Sequence, residues 1–314
     1  MTKRIPAYKK QQISRVSTSV LKMITVFSIV LLLVAVPGCS EQYRIERMVW
    51  TAERTAEPIF TNEGMVSTFE FDDAVSKFEK IREKSPDSQY AVNARLRIAD
   101  LYTVQKSFDK ARVVYEKLIM SNEKKPELAA LCIFKKGQTY ELGGNWAEAL
   151  KTFNIILTQY KKTSQSLSVP LYIARYYVKN DEKRSAQQAY AAAINFYQSI
   201  ADEYKNTKAA LLAENLVVRT YMEQEDWNSA VSFISKLDKK YKLGPDTLMV
   251  LAKIYQNKLD NVKLAKATYE RILKDFSDKE QIVEAVKKEM EALKQLRTWD
   301  EESRKPKDDG RPLR

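Results

Sequence analysis

The chain reads as an all-α solenoid of about six stacked helix pairs with a C-terminal capping helix. Three observations carry that reading. A small residue recurs through the body of the sequence, as Ala74, Ala111, Ala149, Ala193, Ala230 and Ala265, at spacings of 37, 38, 44, 37 and 35 residues. Around each copy, large apolar residues stand three before, four after and seven after, which is one face of a helix. Glycine is scarce, 7 in 314 residues, too few for the tight turns of a sandwich or barrel.

The elements follow in order. Residues 1–22 hold six basic side chains and no acid, and Met23–Val36 is an unbroken apolar or small run. A basic leader, a short apolar stretch and small residues after it describe an export signal over residues 1–38. The run is 14 residues, whereas a spanning helix needs about 20, which disfavours an uncleaved anchor. Val36-Pro37-Gly38-Cys39 resembles a bacterial lipobox, with Pro37 standing where a small or β-branched residue is usual. That resemblance implies cleavage before Cys39 and acylation of its thiol, palmitate included. A residue other than Asp after it, here Ser40, implies an outer-membrane address.

Residues 39–69 form the acylated N-terminus and a leading helix, read over Glu41–Glu57. The repeats and their cap occupy residues 70–297. Position −3 is filled by Phe71, Phe108, Trp146, Tyr190, Trp227 and Val262, and position +4 by Phe78, Tyr115, Phe153, Tyr197, Ile234 and Tyr269. Each such helix is preceded by another, marked by Tyr102, Tyr140 or Tyr221 nine residues before the anchor, or Tyr255 ten before. Gly137 takes a tight position in the second copy. Ser107, Asn145, Asp226 and Asn261 are placed to cap the second helices. Pro86, Pro126, Pro170 and Pro245 are read as lying between helices, where they break nothing. The third copy is irregular, with a short first helix near 168–179 and a long second one near 182–205. Lys279–Leu296 reads as an amphipathic end cap and residues 298–314 as a disordered tail.

The stretch Gly137 to Leu150 (GQTYELGGNWAEAL) closely resembles the tetratricopeptide repeat, and six correlated copies extend the resemblance over about residues 70–276. It implies a right-handed superhelix whose first helices line a concave groove for an extended peptide or a partner helix. The groove positions would include Asn93, Leu96, Asp100, Leu131, Phe134, Gln138, Asn215, Arg219, Met249 and Lys253.

Composition excludes much chemistry. Without histidine there is no Ser-His-Asp or Cys-His pair, and two cysteines cannot make a Cys₄ or Cys₂His₂ zinc site. Neither common nucleotide-binding glycine motif occurs. The expectation is therefore no enzyme, no cofactor and no metal. Cys132, between Leu131 and Ile133, reads as a small buried hydrophobe. Half of the formal +12 lies in residues 1–38, and the rest of the chain carries 47 basic and 41 acidic residues. That excess gives no reason to expect nucleic acid as a partner of an exported chain.

Lipobox and repeats together resemble the lipoproteins of the outer-membrane β-barrel assembly machinery, and Ser85-Pro86-Asp87-Ser88-Gln89-Tyr90-Ala91 looks like that family's inter-repeat motif. The resemblance implies a periplasm-facing scaffold in the cell envelope, held in the membrane by lipidated Cys39 and binding envelope proteins or extended peptides. A second reading stays open: a structural or cell-wall-linked lipoprotein supporting peptidoglycan or polysaccharide assembly.

Overall fold

The computed structural model describes residues 41–61 and 67–303, with side chains described as far as residue 293. Every regular element among them is a helix. The expected export segment, Cys39 and residues 304–314 lie outside the described residues.

The chain divides into two compact units, residues 1–160 and 161–314. In the first, α1 (residues 41–61) precedes α2 (Thr68–Lys84), α3 (Gln89–Val104), α4 (Phe108–Ser121), α5 (Pro126–Leu142) and α6 (Trp146–Gln159). The second holds α7 (Ser164–Lys179), α8 (Lys183–Glu203), α9 (Lys208–Glu223), α10 (Trp227–Tyr241), α11 (Pro245–Asn257), α12 (Val262–Asp275) and α13 (Glu280–Ser303). Within each unit every helix packs on the next, as nearest-neighbour stacking demands.

All six anchor alanines are fully buried. Behind them, +4 side chains fill the space between the two helices of a pair. Three of these are tyrosines, Tyr115, Tyr197 and Tyr269, at most 1% exposed. A buried hydroxyl without a partner would cost about 1–3 kcal/mol, and each one donates to the preceding helix. Tyr115 donates to Asp100 (2.6 Å), Tyr197 to the Leu167 carbonyl (2.8 Å) and Tyr269 to Gln256 Oε1 (2.9 Å). Burial holds the Tyr269 hydroxyl up to about 12 and raises the other two further, so all three stay protonated donors.

The same turn joins α3 to α4, α5 to α6, α7 to α8, α9 to α10 and α11 to α12. The N–H of the second helix's N-cap donates to the carbonyl of the first helix's tyrosine: Ser107 to Tyr102, Asn145 to Tyr140, Glu182 to Tyr177, Asp226 to Tyr221 and Asn261 to Tyr255. The residue before each cap is left-handed: Lys106, Gly144, Asp181, Glu225 and Asp260. Asn145, Asp226 and Asn261 accept from backbone N–H groups three residues on, as their side chains predict. Ser107 does not; its hydroxyl turns to Gln105 Oε1 instead.

Three expectations need correction. Pro170 lies inside α7, not between helices. It forgoes one backbone bond, and its buried ring fills a layer occupied by Ile133 in α5 and Leu248 in α11. Second, the third copy's first helix is full length, 16 residues; only its second helix is irregular, long as expected, the 21 residues of α8 exceeding the 14 or 15 of α4, α6, α10 and α12. The excess is close to one heptad, about two turns, which keeps the buried face in phase. Ala186 and Ala193, seven apart, therefore both face the core, and the anchor chosen from sequence is the second of them. Third, α13 runs to Ser303, past residue 298 where the tail was expected to begin. Its Val286 and Leu293 are buried, and Ile282 and Met290 pack on the last core cluster.

Candidate protein-binding surface

Counting back from the turn tyrosine aligns the first helices. Position −3 holds Ala99, Gly137, Ala174, Val218 and Ala252, all buried where the paired helix comes close. A Cβ added at Gly137 would lie 2.4 Å from the Phe153 ring, so any larger residue there forces that ring to move. Position −8 holds Ala94, Cys132, Val169 and Ala213. Cys132 is thus a packing residue: it is fully buried, and burial pushes its thiol up to about 12.

The remaining face of each first helix carries positions −9, −6 and −2. In the first unit these are Asn93, Leu96 and Asp100 on α3, and Leu131, Phe134 and Gln138 on α5. In the second unit, Asn215 and Arg219 on α9 and Met249 and Lys253 on α11 occupy −6 and −2. Asn93, Asn215, Arg219 and Lys253 are exposed, and the rest are half-buried.

Several of these side chains also tie helices together. Asp100 takes Tyr115 on one side and Lys135 Nζ (2.8 Å) on the other, joining α3, α4 and α5. Leu96 packs on the α3–α5 core, and Phe134 lies 5.5 Å from the Phe153 ring. Arg219 reaches Glu223 at 3.0 Å, Lys253 pairs with Glu289 of α13 at 2.8 Å, and Met249 packs on the last core cluster.

The same register exposes residues that sequence reasoning missed. Arg175 is the −2 residue of α7 and clamps Glu223 with two bonds, 3.0 and 2.5 Å. Burial alone would raise the Glu223 carboxyl, but Arg175 and Arg219 together hold it below the usual range. The signal was available, because Tyr177 stands five residues before the Glu182 cap as Tyr102 does before Ser107. Leu212, at −9 in α9, is 50% exposed. The −2 layer thus reads Asp100 and Gln138 in the first unit, and Arg175, Arg219 and Lys253 in the second.

At the start of the first unit, Trp50, Glu53, Arg54, Glu57, Phe60 and Thr61 of α1 face Arg97 of α3 across an open cleft of about 800 Å³. Arg97 Nε bonds both Glu53 oxygens (2.9 and 3.0 Å), and its guanidinium lies 4.3 Å above the Phe60 ring. This cleft extends the first-helix face to α1, the helix read from sequence over Glu41–Glu57 as a leading helix that could open the first repeat.

Family models for the tetratricopeptide repeat match residues 67–132, and residues 131–163 and 246–279. The chain carries tetratricopeptide repeats. The matches cover α2–α6 and α11–α12, leaving outside them the extended third copy, α7–α8, and the α9–α10 pair. A search of curated proteins finds no match. Among solved structures, the chain is similar to BtubC from P. vanneervenii at 15% identity and TM-score 0.38, covering 77% of this chain and 92% of that one. It is similar to PilW, a type IV pilus biogenesis factor, at 17% identity and TM-score 0.36, covering 75% and 98%. A tetratricopeptide repeat protein from Parabacteroides merdae aligns at 12% identity and TM-score 0.35, covering 72% and 80%.

Among the described residues, no cluster of three His, Cys, Asp or Glu side chains could hold a metal ion, and no helix is long and apolar enough to cross a membrane.

Proposed function

We propose that this protein is a lipid-anchored, periplasm-facing scaffold that binds other envelope proteins, or extended segments of them, through the first-helix faces of its repeats. The observation carrying this reading is the regular face itself. Positions −9, −6 and −2 recur on successive first helices as a mixed apolar and polar surface, while the other faces are consumed by packing. Such a surface suits an extended chain, which offers alternating side chains and backbone polar groups. The Val36–Cys39 lipobox supplies the membrane attachment, because a multiply acylated cysteine anchors stably. Service in outer-membrane protein assembly is the specific role we assign.

Two measurements test this. Metabolic labelling with radioactive palmitate should mark the wild-type chain and leave Cys39→Ala unlabelled and released from membranes. Equal membrane retention of an unlabelled Cys39→Ala would refute lipid anchoring. Photocrosslinkers at Leu212 and Asn215 should capture a discrete envelope protein in cells, whereas the same probe on the opposite, α10 side at Lys236 should not. Recovery of no barrel-assembly component would refute the assembly role.

A further inference from the structure

The outer face of α1 has an unusual composition. Ile45, Ala52, Ala56 and Ile59 are buried against α2 and α3. At about 100° per residue those four fall within roughly 60° of helix surface. Directly opposite, within a stripe of similar width, lie Tyr43, Arg47, Trp50 and Arg54. The side of a helix farthest from the core is normally polar throughout. Here Tyr43 is 67% and Trp50 60% exposed, and both arginines are exposed too.

The charges on this helix are sorted. Three of its four acids are engaged off the stripe: Glu41 pairs with Arg44, Glu46 accepts from Gln42 and Tyr90, and Glu53 is held by Arg97; Glu57 lines the cleft beside Trp50 and Arg54, at the stripe's edge. Among the described residues Arg47 and Arg54 have no ion pair; Arg54 instead sits 5.2 Å over the Trp50 ring. Tyrosine and tryptophan prefer the headgroup level of a bilayer, where an apolar ring and a polar edge are both satisfied. Arginines beside them are drawn to anionic phosphate, and their stems lie along apolar surface. The stripe is about 17 Å long, short enough for one helix to rest in the interface plane. In the sequence α1 follows closely on the apolar run and Cys39, so whatever holds the chain at a membrane there brings α1 near its surface first.

We infer that Tyr43, Arg47, Trp50 and Arg54 form a membrane-facing surface that docks α1 flat onto the headgroups of anionic phospholipids. The anchor then sets where the protein is, and the stripe sets how its first repeat is oriented there. The inference rests on the membrane-anchored reading for its location, but the two are read out separately.

The test reconstitutes the full chain into vesicles of phosphatidylcholine alone or with phosphatidylglycerol, and measures quenching of tryptophan emission by lipids brominated near the headgroup. Wild type should lose a component in the anionic vesicles that Trp50→Phe lacks. Arg47→Gln with Arg54→Gln should weaken docking about 25-fold, at about fivefold per arginine, and high salt should act in the same direction. An unchanged helical circular dichroism spectrum establishes that the variants fold. Equal quenching of wild type and Trp50→Phe would overturn the inference, and would leave Trp50 and Arg54 to the cleft they share with Arg97 as a protein-binding rim. Insensitivity of the Trp50 component to both arginines and salt would overturn it as well. Palmitate labelling at Cys39 reports the anchor independently, so either result can fail while the other stands.

Discussion

Replacing Gly137 by alanine tests the packing of the repeat most directly. On an exposed helix the change would stabilise by about 1 kcal/mol, because alanine is the better helix former. At this site the new Cβ meets three atoms of the Phe153 ring at 2.4, 2.7 and 2.9 Å. The ring must retreat by roughly 1 Å to restore ordinary contact. It has little room, since it is fully buried with Phe134 at 5.5 Å and Trp146 at 6.0 Å. Overpacking of this kind costs about 1–3 kcal/mol, and a pinned ring places it at the upper end. The net expectation for Gly137→Ala is a loss of about 2 kcal/mol after the propensity gain is subtracted. Urea denaturation followed by Trp146 emission, in a background with the other three tryptophans changed to phenylalanine, reads the effect beside the affected ring. Adding Phe153→Leu removes the ring edge, so the double variant should be less destabilised than the sum of the singles by about 1 kcal/mol or more. A Gly137→Ala variant as stable as wild type, or strictly additive effects, would refute the reasoning.

Asp100→Ala should cost about 2 kcal/mol by stranding the buried Tyr115 hydroxyl, whereas Asp100→Asn keeps an acceptor and should cost about half as much; thermal melts of the two variants check the order. Glu225 is exposed with φ +58°, so Glu225→Gly should stabilise by about 0.5–1 kcal/mol, the relief of left-handed strain less the entropy glycine adds to the unfolded chain; a lower urea midpoint would contradict it. Glu223 is held low against its own burial by Arg175 and Arg219, and Asp238 is held low by Arg271. Carboxyls lowered in the fold contribute stability that is complete above their unfolded values near 4 and is lost as pH falls through the lowered folded values. The melting temperature should therefore hold from pH 7 to about 5 and fall below about 4, and Glu223→Gln should flatten that fall.

What could be read in advance, and what could not, follows from how far apart the interacting residues stand. The core face of every second helix was legible because alanine, the +4 residue and the +7 residue lie within two turns of one another, and periodicity is a local property. Turn caps were legible for the same reason, and Ser107 failed only because a hydroxyl can choose a neighbour such as Gln105 over the backbone. In the third copy the anchor spacing of 44 residues and the long second helix were legible; the heptad-length excess keeps Ala186 and Ala193 on the same buried face, and the offsets select Ala193 because it alone of the two has large apolar residues at −3, +4 and +7. The first-helix face was legible as a set of positions, but not in what each side chain does there. Asp100 and Lys135 are 35 residues apart, Glu53 and Arg97 are 44, and Arg175 and Glu223 are 48. Each distance approximates one repeat, so these pairs form only when successive first helices stack within a unit. A charged residue on this face therefore has two possible uses, a ligand or the next repeat, and which one it serves is decided by tertiary structure. Counting repeat-length partners separates them: Asp100, Arg175 and Lys253 are engaged with neighbouring helices, whereas Leu212 and Asn215 project from a face whose packing is already complete. Probes of partner binding belong on the latter pair, and substitutions at the former should register first as lost stability.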